Sequence, residues 1–210
     1  MTAEAETMLY LVRHGATPSN EEKPRRLQGC GVDTSLSPRG AEQAREVAAF
    51  LQQVSLDAVF CSPLKRAKET ATQIASAQNL EVSVVDEIHE VNVGKWERLD
   101  WPTIARDFPT EYAQFMEDSA MHGYPGGESH RDVADRVAPV FGQMLAANTG
   151  KRIAVVAHSV VNRTWLATLL GIPVGRAKEL PQDNCCVNVV RYRDGQAKLI
   201  TLNSRFHISE

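Results

Sequence analysis

The 210-residue sequence lacks the features that mark several large classes of protein. It holds four cysteines, none of them in a C-x-x-C pair, so neither a structural zinc site nor a redox motif is indicated. No apolar run approaches the length of a bilayer-spanning helix, and the acidic N-terminal segment carries no apolar core of a secretory signal. We therefore expect a cytoplasmic protein with reduced thiols that does not enter the membrane.

A strong charge imbalance is also missing. The net charge is −3 at pH 7, so the overall balance does not indicate a nucleic-acid partner. Hydrophobic residues make up 43% and charged residues 23%, which is enough apolar material for a core, and no internal repeat or low-complexity linker divides the chain. We expect one domain over residues 1–210. A local basic cluster, Lys23, Arg25 and Arg26, fits either a solvated loop or a contact to an acidic substrate.

The chain does have a clear alternation of apolar runs with helix-period segments. This is the pattern of an α/β fold: a three-layer structure with a mostly parallel central sheet and helices on both faces. Strands are predicted at 8–12, 58–61, 81–85 and 153–157, with two final strands joined by a turn at Asp194 and Gly195. Helices are predicted at 38–53 with Ser37 as its cap, from a cap at Ser62 to residue 78, at 129–148 with a kink at Pro139, and at 160–170, where Gly171 ends the helix.

Residues 86–128 interrupt this alternation. The segment is less periodic and holds two of the three tryptophans, several prolines and a Pro-Gly-Gly run at 125–127. Short helices and loops in such a segment are typical of a region that covers or walls a binding site. The sequence predicts an inserted lid there.

Three predicted strands run into polar residues of one chemical kind. Arg13 and His14 follow the first, Ser62 and then Arg66 follow the second, and His158 follows the fourth. Ligands of parallel α/β sheets bind at the carboxyl ends of the strands, so these groups converge if the strands are neighbours. Every one of them is a cation or a hydrogen-bond donor, and helix N-termini add further N–H groups. An anion with several oxygens, such as phosphate, fits best because guanidinium groups bind its oxygens in pairs.

The nucleophile of such a site is an imidazole. No G-x-x-x-x-G-K-[ST] loop occurs, and no carboxylate cluster marks a two-metal centre. An imidazole can accept a phosphoryl group covalently and pass it on, while neighbouring arginines offset the charge of the transition state. These considerations alone leave His14 and His158 as candidates.

The sequence resembles the histidine phosphatase superfamily, which includes cofactor-dependent phosphoglycerate mutases. The resemblance extends over nearly the whole chain, and its six motifs stand in the family's order. They are L-V-R-H-G-A-T at 11–17 followed by Asn20, L-S-P-R-G-A-E-Q-A at 36–44, S-P-L-K-R-A at 62–67, E-V-N-V-G-K-W-E at 90–97, P-G-G-E-S at 125–129 and V-V-A-H at 155–158.

The resemblance implies a role for each matching residue. His14 is the expected nucleophile, transiently phosphorylated, and Glu90 the acid that protonates the leaving oxygen and then activates water. It implies neither a metal nor a cofactor, and the partner is a small phosphate ester. The phosphoryl oxygens are expected to meet Arg13, Arg66 and His158, with Asn20 and Thr17 assisting, and the substrate side is expected to include Gln28, Gly29 and Ser159.

Several alternatives remain open from the sequence. Asp86, Glu87 and Glu97 compete with Glu90 for the acid role. Ser159 stands where the family often has glycine, which bears on the substrate and not on the chemistry. A phosphatase acting on a small phosphomonoester is the leading hypothesis, because no long insertion of the mutase kind is present. A phosphoglycerate mutase and a non-catalytic phosphate-binding module are the alternatives. A homodimer formed through the final strands is possible.

Overall fold

The chain folds around a single six-stranded sheet. The computed structural model describes residues 6–209, so most of the acidic N-terminal segment that argues against a secretory signal lies outside the described residues. The strands are β1 Thr7–Arg13, β2 Ala58–Cys61, β3 Val82–Val84, β4 Arg152–Ala157, β5 Val187–Arg193 and β6 Gln196–Ser204. The helices are α1 Pro18–Glu21, α2 Pro38–Leu51, α3 Lys65–Ser76, α4 Trp101–Asp107, α5 Pro109–Glu117, α6 His130–Ala147 and α7 Ser159–Leu170.

The sheet is mixed, with a parallel majority. Its strand order is β3-β2-β4-β1-β5-β6. The first four strands of that order run parallel, β5 is antiparallel to β1, and β6 is antiparallel to β5. The predicted final hairpin is confirmed: Arg193 pairs with Gln196 across a two-residue turn. Asp194 and Gly195 have φ of 53° and 73°, the left-handed conformation that such a hairpin turn needs at both central positions.

Alternation along β4 shows why the fold has three layers. Ile153 and Val155 pack on one face with α6 and α7, while Ala154 and Val156 pack on the other face with α2 and α3. A strand buried on both faces has few polar residues, which explains its continuous apolar run. The predicted three-layer α/β fold is confirmed.

The helix caps were predicted with mixed success. Ser37 caps α2 as expected, accepting from the amide of Gly40. The prediction that Ser62 caps the next helix is wrong: α3 begins at Lys65, and its N-cap position is Leu64. The Ser62 hydroxyl instead lies 2.6 Å from Nε2 of His158. The hydroxyl that the local sequence predicts as the helix cap is therefore hydrogen-bonded to a buried histidine instead.

Residues 86–128 form an aromatic subcore. Two short 3₁₀ helices, Asp86–Ile88 and Gly94–Trp96, precede α4 and α5. Trp96 is fully buried, with its ring centroid 5.4 Å from that of Phe115 and 5.7 Å from that of Tyr124. Edge-to-face packing of this kind fixes the rings relative to one another. Within residues 6–209, no helix is both long and apolar enough to cross a bilayer.

Candidate active site

The carboxyl ends of β1, β2 and β4 meet because the three strands are neighbours. The backbone ladder continues beyond them: the amide of His14 donates to Ala157 over 3.1 Å, and that of Ser62 donates to Val156 over 3.0 Å. His14 and His158 follow paired strand ends, and their ring centroids are 5.2 Å apart. The predicted convergence at this edge of the sheet is confirmed.

His14 is held in one tautomer. Its Nδ1 lies 2.7 Å from the carbonyl oxygen of Gly15, which can only accept, so Nδ1 carries the proton and Nε2 keeps a lone pair. Burial lowers the pKa of His14 well below its usual value, and the charges of Arg66 and Arg13 lower it further. The imidazole is therefore neutral at neutral pH, with one nitrogen available as a nucleophile.

The turn after His14 needs glycine. A Cβ on Gly15 would collide with the carbonyl of Gly40 in the first turn of α2, and a Cβ on Gly40 would collide with the carbonyl of Ala16. The backbone of the turn thus lies directly against the backbone of α2. Only residues without a side chain permit this approach, which fixes the position of His14.

Arg66 and His158 form a fully buried layer next to His14. Arg66 donates through Nη1 to Val32 and through Nη2 to Gly29, at 2.9 and 3.2 Å, while its Nε has no partner among the described residues. His158 contacts Ser62 through Nε2, and its Nδ1 likewise has none. Burial lowers the pKa of His158 well below its usual value, with Arg66 and His14 adding to the shift.

Arg13 is oriented by a polar network deep in the core. Its Nη1 donates to the carbonyl of Gln182 over 2.6 Å, and its Nε has no acceptor in the described part of the chain. Gln182 and Asn188 exchange amide hydrogen bonds of 2.8 and 3.0 Å, and Asn162 donates to Gln182. Burial lowers the pKa of Arg13 to about 10, which leaves it charged at neutral pH.

Glu90 is the carboxylate that faces the site. It is buried, and its oxygens accept from the amides of Val91 and Val160 at 2.9 and 3.3 Å. The competitor Glu97 has another function, because its carboxylate accepts from the amides of Gly29 and Gly31. Asp86 and Glu87 do not line the cleft, so geometry favours Glu90 among the four carboxylates.

A cleft of about 210 Å³ opens at His14. Arg66 and His158 are buried behind its lining. Thr17 and Gly29 do not line it either: the Thr17 hydroxyl donates to Gln28, and the Gly29 carbonyl accepts from Arg66. Both hold their neighbours in place. The cleft-lining residues predicted from the sequence are Arg13, His14, Asn20, Gln28, Glu90 and Ser159.

The cleft is also lined by residues whose role the sequence leaves open and by residues that it does not predict for the site. Arg25 and Arg26 line it, whereas Lys23 lines a separate surface depression. Trp101 and Tyr124 form part of its wall. Gln182, which orients Arg13, lies 169 positions away in sequence, and no local pattern connects the two. In residues 6–209, no three His, Cys, Asp or Glu side chains gather in a metal-binding group.

The sequence profile of the histidine phosphatase superfamily (branch 1) matches residues 9–205. The chain belongs to this superfamily. Phosphoserine phosphatase 1 of Hydrogenobacter thermophilus is 31% identical over 202 residues, covering 96% of this chain and 94% of the relative. A probable phosphoglycerate mutase of Salmonella choleraesuis is 29% identical, covering 90% and 86%.

Solved structures agree with the family. Phosphoserine phosphatase of Entamoeba histolytica, in complex with 3-phosphoglyceric acid, superposes with a TM-score of 0.85 at 28% identity, covering 97% of this chain and all (100%) of that one. The superfamily, the α/β fold and the phosphatase class predicted from the sequence are thereby confirmed.

Proposed function

We propose that this histidine phosphatase hydrolyses small phosphomonoesters through a phosphohistidine on His14. One observation carries the proposal: buried nitrogens of Arg13, Arg66 and His158 lack partners among the described residues, and all three belong to the site of a neutral His14. A buried donor without an acceptor is costly, so such a group indicates a missing ligand. A phosphoryl group offers enough oxygens to satisfy all three.

The first step transfers the phosphoryl group to the protein. Nε2 of His14 attacks phosphorus, a P–N bond forms, and the bond to the ester oxygen breaks. The proton on Nδ1 stays on the ring, where its bond to Gly15 stabilises the developing positive charge. Glu90 donates a proton to the departing oxygen, so that a neutral alcohol leaves.

The second step returns the phosphoryl group to water. The Glu90 carboxylate accepts a proton from a water molecule, which attacks phosphorus while the P–N bond breaks and inorganic phosphate forms. Arg13 and Arg66 offset the charge on the transferring group throughout. Because these guanidinium groups supply the positive charge, the proposed reaction needs no metal.

The site test is phosphate release from a panel of phosphomonoesters, with EDTA present throughout. The native protein should release phosphate, and denaturation during turnover should trap an acid-labile, alkali-stable phosphoenzyme. The His14→Ala variant should do neither, and His122→Ala, at an exposed histidine, is the matched control. Phosphate release by His14→Ala at the native rate would refute the mechanism.

A mutase is the second candidate. A probable phosphoglycerate mutase is among the relatives, and Arg25 and Arg26 in the cleft suit an acidic substrate. A mutase would interconvert phosphoglycerate isomers faster than it releases phosphate. Release of inorganic phosphate with no isomer exchange would exclude it. The expected cytoplasmic location and a homodimer through the final strands, β5 and β6, stay predictions.

A further inference from the structure

A second cavity adjoins the catalytic cleft. It encloses about 440 Å³, roughly twice the 210 Å³ of the cleft, and the two share Trp101, Tyr124 and Val160 in their walls. The second space is thus the next one that a molecule with its phosphate at His14 would meet beyond these residues. The phosphate ester of a short carboxylic acid would leave the second cavity empty.

The walls of the second cavity are mainly aromatic. Trp101 lies 6.1 Å from Tyr112 and 5.9 Å from Phe115, measured between ring centroids, and Tyr124 completes this side. The buried Trp96 packs behind Trp101 and Phe115 and fixes their orientation. Rigid rings around a narrow space favour a planar apolar group, because flat faces bury the most area there.

Two cations lie in this apolar wall without a direct ion pair to a described carboxylate. Arg163 donates through Nε to Leu180 over 2.8 Å, but Nη1 and Nη2 bind no acceptor in the part of the chain that is described. Lys178 donates to the carbonyl of Met116 and forms no ion pair with a described carboxylate. Burial lowers the pKa of Arg163, and the negative charge of Glu90 opposes only part of that shift.

A third polar group points to a ligand in the same cavity. His130 is buried, its Nδ1 lies 2.9 Å from the Ser119 hydroxyl, and its Nε2 has no partner among residues 6–209. The spacing along α7 places Arg163 beyond the cleft, because it is four residues after Ser159, about 6 Å along the helix axis. Arg163 thus lies one helical turn beyond the cleft residue Ser159, and it is separate from the arginines of the cleft.

Resting on the proposed function, we propose that the substrate is the phosphate ester of an alcohol with a planar, apolar body and a carboxylate at its far end. The ester lies at His14, the planar body lies between the rings of the second cavity, and the carboxylate binds the guanidinium of Arg163. Phosphoserine and phosphoglycerate carry the carboxylate next to the ester, so they would occupy the cleft but not the second cavity.

The test compares three probes of defined shape. The first is the phosphate ester of 4-(hydroxymethyl)benzoate, the second is benzyl phosphate, which lacks the carboxylate, and the third is phosphoserine. Binding to the His14→Ala variant is measured by calorimetry, because that variant holds the ester without consuming it. Turnover by the native protein is measured as kcat/KM for each ester.

The carboxylated ester should bind His14→Ala most tightly and should have the highest kcat/KM in the native protein. Arg163→Met should lower the ratio of kcat/KM between the carboxylated and the plain benzyl ester by about 10- to 100-fold, the size of a lost charge-assisted hydrogen bond. Arg163→Lys should restore part of that ratio. Arg176→Met is the control, because Arg176 pairs with Glu179 outside the cavity and should leave the ratio unchanged.

The two proposals fail separately. Equal binding of the two benzyl esters, or a ratio that Arg163→Met leaves unchanged, would overturn the second-cavity proposal whether or not phosphate is released. Tight binding that depends on the carboxylate, with no phosphate released from any ester, would support the cavity proposal and overturn the hydrolytic function.

Discussion

At the scale of single residues, two kinds of neighbour make His14 a neutral imidazole with one nitrogen available as a nucleophile. The Gly15 carbonyl decides which ring nitrogen holds the proton, and burial beside Arg13 and Arg66 decides that the ring carries no second proton. A histidine at a strand end whose ring rotated freely would lack the hydrogen bond that fixes its tautomer. The chemistry of His14 is therefore set by its two neighbours in the R-H-G triplet together with burial and Arg66, which the triplet does not encode.

The pKa of His14 can be tested directly. Because burial lowers it, the ring should stay neutral as pH falls to 6.5 and should gain its proton only at lower pH. Nitrogen-15 NMR of labelled histidine reports both the protonation state and the tautomer, and the spectrum of His14→Asn identifies the signal. A titration midpoint at or above 6.5 would contradict the burial argument.

The role of Glu90 can be separated into its two steps. With 4-nitrophenyl phosphate, whose leaving group needs no proton, Glu90→Gln should keep the initial burst of nitrophenolate but turn over slowly afterwards. With an alkyl phosphate the variant should lose the first step too, by roughly 10²- to 10⁴-fold. Stopped-flow measurements distinguish the phases. Glu87→Gln, at a carboxylate outside the cleft, is the control, and an equal loss of the first step with both esters would assign the acid role elsewhere.

At the scale of elements, α6 holds the loop that carries Glu90. Arg136 donates through Nη1 to the carbonyls of Glu87 and His89 and forms a 3.0 Å ion pair with Glu128. Glu128 in turn accepts from the amide of Asn92. One arginine and one carboxylate thus hold the chain on both sides of Glu90.

Releasing this clamp should affect catalysis more than binding. Arg136→Met should lower kcat on the order of 10- to 100-fold with a smaller change in KM, because a misplaced acid slows the chemistry while Arg13 and Arg66 still bind the phosphate. The control is Arg131→Met, at an exposed position of the same helix. A rise in KM with kcat unchanged would show that the clamp serves binding.

Most helices and strands are predictable from the sequence, whereas the long-range contacts that hold the site residues are not. The run at 153–157 and the cap at Ser37 depend on local periodicity and local hydrogen bonds, which a sequence displays. Ser62 was assigned wrongly because its partner, His158, is 96 positions away. Arg163 shows a signal that could have been used, since it lies one helical turn after Ser159 on a helix that opens at the site.

At the scale of the whole molecule, buried neutral histidines make the fold sensitive to acid. Burial, with Arg163 and Lys178, lowers the pKa of His130 to about 4. Above pH 6.5 both the folded and the unfolded states are neutral at this residue, so it adds no pH dependence. Below pH 6.5 the unfolded state binds a proton at this residue that the folded state does not bind, so the free energy of unfolding falls.

Urea unfolding at pH 7.5 and pH 5.0 measures this effect. His130 alone should remove about 2 kcal/mol of stability between those two conditions. The His130→Gln variant should lose about that much less on acidification, whatever its stability at pH 7.5, while His122→Gln should lose as much as the native protein. Parallel losses in the native protein and His130→Gln would contradict the assignment.

The separation between the cleft and the second cavity has a consequence for how this protein changes over generations. His14, Arg66 and His158 follow the ends of β1, β2 and β4, and Glu90 lies in the loop after the 3₁₀ helix Asp86–Ile88. The aromatic residues of the second cavity other than His130 lie between residues 101 and 124. Mutations there can alter which alcohol is accepted without moving His14 or Arg66. A transplant of residues 101–124 from another member of the superfamily is therefore a compact route to a new substrate preference.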